Sequence, residues 1–247
     1  MKDILGQAIA DYFHGVQGRK LWVRTQSAMG KSVSAADPGG PAKPRIYPRE
    51  EMPVKTYFRT MDKMPELEWV ALQHCRGRIL DIGAGAGSHS LALQQLGQEV
   101  TALEISPLSA GVIESRGVRQ VLCQDFFELS GKKKYDTLLL MMNGIGLAGT
   151  LEGLRHFLRK ARMLLRPGGV LVFDSSDISY LYDGKPASAP GYYGELLYRY
   201  EYRRQLSDPF PWLFIDHQTL GRIAAAEGWQ MELLFEDKQD HYLVRCR

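Results

Sequence analysis

The chain is predicted to fold as an α/β protein whose mostly parallel sheet is covered by helices on both faces. Three observations predict this. From about residue 65 onward, short apolar runs alternate with stretches of helical periodicity, and such alternation builds parallel sheets. The run Leu138-Leu139-Leu140-Met141-Met142 has no polar alternation, as expected of a strand buried on both faces. Between an apolar run and a helical one lies Gly83-Ala84-Gly85-Ala86-Gly87, where glycines permit positive φ and let a ligand approach the backbone.

The elements follow in order. Ile4 to Phe13 is amphipathic, and residues 29–51 hold Pro38, Gly39, Gly40, Pro41, Pro44 and Pro48, a flexible connection or a lid. Residues 1–64 are therefore set apart as an N-terminal extension, and 65–247 as the main domain. A helix is expected at 65–75, a strand at 78–82 and a helix at 88–96. A strand at 99–104, a helix at 107–116, a short strand at 119–123 and a strand at 136–142 come next. A long helix at 151–166 leads through the turn Arg166-Pro167-Gly168-Gly169 to a strand at 169–174. Residues 178–211 form an insert in which alternation puts Tyr198, Tyr200 and Tyr202 on one face. Packing that face down is favoured over a base-stacking platform. Asp216 caps a helix ending at Gly228, and 231–236 pairs with 242–246 as a hairpin.

Departures from the dinucleotide pattern decide what the glycine turn binds. A third glycine of G-x-G-x-x-G would fall at position 88, where Ser88 stands, and Asp81 lies two residues before Gly83. An acid there suits a ligand with an ammonium and a sulfonium and repels phosphate. The segment Leu80-Asp81-Ile82-Gly83-Ala84-Gly85-Ala86-Gly87 thus resembles the first motif of the class I, Rossmann-like S-adenosylmethionine (SAM)-dependent methyltransferases. Val100-Thr101-Ala102-Leu103-Glu104, Val121-Leu122-Cys123-Gln124-Asp125-Phe126, the run from Tyr135 to Asn143, and Leu164 to Phe173 resemble the later motifs in family order.

The resemblance implies a seven-stranded sheet of order 3-2-1-4-5-7-6, its last strand antiparallel, with SAM as cofactor and S-adenosylhomocysteine as product. It also implies roles. Glu104 accepts both ribose hydroxyls, with Ile105 beside it. Asp125 binds the adenine amino group and Phe126 lies against the ring. Asp81, Gly83, Ala84 and Gly85 form the turn under the cofactor, and Met142 and Asn143 flank it. Arg59 lies outside the resemblance, and its guanidinium is read either as a partner for the cofactor carboxylate or as an exposed arginine. Asn143 is the sole asparagine of the chain and ends a strand at the carboxyl edge of the sheet.

The expected reaction is methyl transfer to an N, O, S or C nucleophile, most plausibly of a small molecule. The alternatives are RNA methylation or a non-catalytic module that holds RNA or a partner. DNA is disfavoured, because neither an Asn-Pro-Pro-aromatic motif nor a Pro-Cys nucleophile is present. His89, Asp177 and His217 are candidate general bases. A charge of +3 argues for no particular partner, and Lys132-Lys133-Lys134 reads as a solvated turn. Cys75, Cys123 and Cys246 lack metal-ligand spacing, so no metal and a reduced, cytoplasmic protein are expected. No apolar run approaches the roughly 18 residues of a membrane span. Oligomeric state and acceptor are not encoded in any motif.

Overall fold

The computed structural model describes residues 2–27, 49–131, 135–182 and 191–247. Among these the chain runs through α1 (Ile4–Phe13), β1 (Leu21–Ser27), β2 (Glu50–Met52), α2 (Glu66–Gln73), β3 (Arg78–Ile82), α3 (Ser88–Gln95), β4 (Glu99–Glu104), α4 (Pro107–Ser115), β5 (Val121–Cys123), β6 (Tyr135–Leu140), α5 (Leu151–Leu164), β7 (Leu165–Ser176), β8 (Glu195–Tyr202), β9 (Gln205–Leu206), β10 (Phe210–Leu213), α6 (His217–Ala226), β11 (Met231–Glu236) and β12 (His241–Cys246). Single turns of 3-10 helix lie at Val54–Phe58, Met61–Lys63, Phe126–Glu128, Gly144–Ala148 and Ser179–Tyr182.

The main sheet has the order β5-β4-β3-β6-β7-β12-β11, which is 3-2-1-4-5-7-6 counted within the core. β3 to β7 are parallel and β12 is antiparallel to both of its neighbours. Leu138, Leu139 and Leu140 are fully buried, so β6 is covered on both faces as its sequence requires. α5 buries Leu154, Phe157, Leu158, Ala161 and Leu164 on one stripe. Each of the leucines and the phenylalanine contributes about 1.5–3 kcal/mol relative to exposure, and the alanine less. Among the described residues no helix is long and apolar enough to cross a membrane.

Several boundaries differ from expectation, α5 ending at Leu164 and β5 starting at Val121 among them, and two have a backbone cause. β6 stops at Leu140, because Met142 and Asn143 both take left-handed backbone, at φ +62° and +55°. β7 begins at Leu165, which pairs with Tyr135 before the register shifts to Thr137 opposite Val170. Arg166 to Gly169 are thus an irregularity inside the strand, with Gly168 at φ +76°, and not a turn ahead of it.

The extension and the insert build one further sheet together, of order β10-β8-β1-β2 with β9 on β8, antiparallel throughout. Trp22 pairs with Glu201, Val23 with Tyr200 and Thr25 with Tyr198. The tyrosine face is turned inward. Tyr202 is buried and its hydroxyl donates to Asp11 Oδ2 of α1 at 2.9 Å, Tyr200 packs on the α1 cluster, and Tyr198 lies parallel to Trp212 at 5.9 Å. The Pro/Gly-rich stretch, apart from its last residues, and Lys132 to Lys134 lie outside the described residues.

Candidate active site

The glycine turn follows β3 directly. Gly83, Gly85 and Gly87 have φ of +71°, +62° and +80°, which side chains with a Cβ rarely adopt. Space above Gly83 is open, whereas a Cβ on Gly85 would lie 2.8 Å from the Tyr57 ring. The turn is braced from the next strand, since both Gly83 and Ala84 donate their N–H to Leu103 O. Glu104, at the end of β4, accepts from Gly85 N at 2.8 Å and Ser106 N at 3.0 Å, one bond on each oxygen. A carboxylate offers about four lone-pair sites, so acceptor capacity is left for a further donor. Burial raises the Glu104 pKa, opposed by the N–H groups of Ser106, Gly85 and Ile105. Asp81 is buried and accepts from Ser90 Oγ at 2.6 Å. Burial also raises its pKa, against the pull of nearby His89.

The extension reaches this turn at several points. Ser106 Oγ donates to Asp3 Oδ2 at 2.5 Å and caps α4 by accepting from Ser109 N, and Asp3 caps α1 through Gly6 N. The starts of two helices are therefore tied together beside Glu104. Ser88 Oγ donates to Tyr57 O at 2.6 Å, and Arg116 donates to Ala86 O while its guanidinium lies 4.9 Å from the Phe58 ring.

A buried ion cluster lies against α3. The carboxylate of Glu68 pairs through Oε1 with Arg59 and through Oε2 with His89 Nε2 at 2.9 Å. Arg59 Nε is buried without a hydrogen-bond partner among the described residues. Burial alone favours a neutral His89, yet the hydrogen bond to Glu68 and the charges of Asp81, Glu68 and Asp174 outweigh it and raise its pKa. The His89 ring is thus tied to Glu68 beside α3.

The end of β6 is the strained part of the site. Met142 and Asn143 are consecutive non-glycine residues in left-handed backbone, a feature that needs support from its surroundings. Both oxygens of Asp174 accept from Asn143 N at 3.0 Å. The Asn143 side chain accepts from Ser175 Oγ at 2.8 Å and donates to Leu213 O at 3.1 Å, and Ser175 Oγ accepts from Ile215 N. Burial pushes the Asp174 pKa up to about 6, with the Asn143 N–H and His89 opposing. Just beyond, Gly146 admits the indole of Trp212, which a Cβ there would strike.

The remaining expected residues separate. Ile105 is 65 % exposed, an uncovered apolar side chain directly after the buried Glu104. Asp125 Oδ1 accepts from Phe127 N at 2.7 Å, capping a short turn. The ring of Phe126 is turned into the core against Phe157 at 4.7 Å, so it is corrected from a side-chain contact to a backbone one. Asp177 and His217 lie away from the glycine turn and line one cavity together. The sequence assigns Glu68 no role, and offers Asp174, Ser175 and Ser176 only as sheet-edge groups that hold the substrate or cap a loop. Glu68 looks like any helix-surface acid until α2 is folded against α3.

Residues 79–169 match a family model described as a methyltransferase domain. A solved structure from Bacteroides fragilis, a SAM-dependent methyltransferase in complex with S-adenosyl-L-homocysteine, is 40 % identical with a TM-score of 0.83, covering 100 % of this chain and 94 % of that one. The CcbJ methyltransferase from Streptomyces caelestis shares the fold at 17 % identity and a TM-score of 0.57, over 78 % of this chain and 97 % of that one. A curated relative from Streptomyces sp, cypemycin N-terminal methyltransferase, is 29 % identical over 102 residues, which span 40 % of this chain and only 42 % of the relative.

Proposed function

Since the chain belongs to the SAM-dependent methyltransferases, we propose that it methylates an N, O, S or C nucleophile of a small molecule and uses SAM as donor. The observation that carries this is the glycine turn joined to Glu104, with open space over Gly83 and acceptor capacity left on the Glu104 carboxylate. The neighbouring groups fit the same cofactor. Glu104 would hold the ribose hydroxyls, Ile105, Asp125 and the backbone of Phe126 the adenine, and Asp81, Gly83, Ala84 and Gly85 the methionine end. The buried Arg59 Nε, unpartnered among the described residues, suits the methionine carboxylate. Met142 and Asn143 would flank the reacting edge.

SAM supplies an activated methyl group, so the chain chiefly supplies position and exclusion of water. Residues 1–64 act in this reading as a cover on the main domain of 65–247, supported by the ties from Asp3 to Ser106 and from Tyr57 to Ser88. A small acceptor is favoured over RNA because the tyrosine face of β8 is turned inward, which removes a stacking platform. Three free thiols fit a reducing compartment, the cytoplasm in our reading. Isothermal titration of the protein with SAM, S-adenosylhomocysteine and NAD tests the proposal. Binding of the first two alone is expected, and absence of both would sink it.

A further inference from the structure

Beyond the glycine turn, a cavity of about 480 Å³ opens between the end of β7, the insert and the start of α6, with Asp177, Tyr192, Tyr193, Asp216, His217 and Arg222 in its walls. These side chains come from three separate parts of the sequence, and hydrogen bonds fix them. Tyr193 OH donates to Asp177 Oδ1 at 2.6 Å and Tyr192 OH to Asp216 Oδ2 at 2.7 Å, with the two rings 4.6 Å apart. Walls held in this way are organised before any ligand arrives.

The chemistry left over is specific. Asp177 Oδ2 accepts no hydrogen bond among the described residues, and the nearest carboxylate to the His217 ring is Glu236 at 3.8 Å. Burial works against ionisation of Asp216, but the hydrogen bonds from Thr219, Tyr192 and Tyr193 outweigh it and lower its pKa. Two carboxylates therefore face one arginine, whose guanidinium is already engaged with Thr219 Oγ1 at 2.9 Å. The excess is negative, and phenols and imidazole add partners for hydroxyl groups. The cavity also adjoins the reacting edge: Ser175 Oγ links Asn143 Oδ1 to Ile215 N, and Asp216 follows Ile215.

We propose that this cavity binds the polar end of the methyl acceptor, and that this end is a hydroxylated group carrying a protonated amine. The proposal rests on the methyltransferase reading, and binding energy spent here orients the acceptor's nucleophile from a distance. Saturation-transfer NMR on the protein with S-adenosylhomocysteine present tests it, using glucosamine, glucose and glucuronate as cationic, neutral and anionic probes of one shape. Glucosamine is expected to bind best, and Asp177→Asn to weaken it by about tenfold with S-adenosylhomocysteine affinity unchanged. Tyr193→Phe, which keeps the ring, is a second variant expected to weaken glucosamine. Equal binding of all three probes, binding of none, or indifference to both substitutions overturns the cavity's role while leaving the cofactor site standing. Failure of S-adenosylhomocysteine itself to bind overturns both readings.

Discussion

Glu104 shows how one carboxylate serves both the fold and a ligand. Its two oxygens bridge the glycine turn to the start of α4, so removing it costs bracing as well as ligand contacts. Glu104→Ala is expected to weaken S-adenosylhomocysteine binding by about 1.5–3 kcal/mol, the scale of hydrogen bonds to a charged group, as read by titration calorimetry. Glu68 calls for a different test because it acts through Arg59 and His89. Glu68→Gln should weaken S-adenosylhomocysteine several-fold and leave 5′-methylthioadenosine, which lacks the amino-acid end, unaffected. Equal loss for both ligands would make Glu68 purely structural. Asp174 has a folded pKa raised to about 6, so its contribution to stability is complete below the usual carboxylate range and is lost as pH rises through about 6. His89, whose own pKa the Asp174 charge helps to raise, Glu68 and the Asn143 N–H act on it. Asp174→Asn should flatten the urea stability profile between pH 4 and 7, and an unchanged profile would contradict the raised pKa. Glu104 was legible in the sequence from its spacing to the glycines, and Asp174 as a polar group at the same sheet edge, though not its hold on Asn143; Glu68 was not, since its significance arises only where separate elements meet.

At the scale of elements, what was legible depended on how local the signal is. Each core strand and helix announces itself by its own periodicity, and family order placed β12 between β7 and β11. β1 was missed because a seven-residue strand takes its meaning from its two neighbours in the sheet, and one of them, β8, lies far along the chain. The aromatic alternation of β8 could be read as a packed face, yet α1 as the surface beneath Tyr202 could not. The β10 segment is laddered to β8 and seats its Trp212 indole over Gly146. Gly146→Val should therefore destabilise the protein by about 1–3 kcal/mol through overpacking, measured by urea unfolding. Little change would mean that β10 lifts freely from the sheet edge.

For the whole molecule, the extension, the glycine turn and the insert are one mechanical unit. Saturating S-adenosylhomocysteine at about 100 times Kd should stabilise the fold by about 2.7 kcal/mol, seen as a raised melting temperature. Hydrogen exchange should slow in α1 and in residues 50–59 together with residues 83–87, since they share hydrogen bonds. Protection confined to the glycine turn would show that the extension does not respond to the cofactor.

The pairing of β1 with β8 has a consequence for the order in which this protein comes into being. During synthesis the first strand emerges long before its partner exists, and every element from α2 to β7 can settle in the meantime. Closing so long a loop is entropically costly and slow. The nascent chain thus holds a glycine turn before the pairing of β1 with β8 can exist, and the extension is fastened to the insert only late in folding.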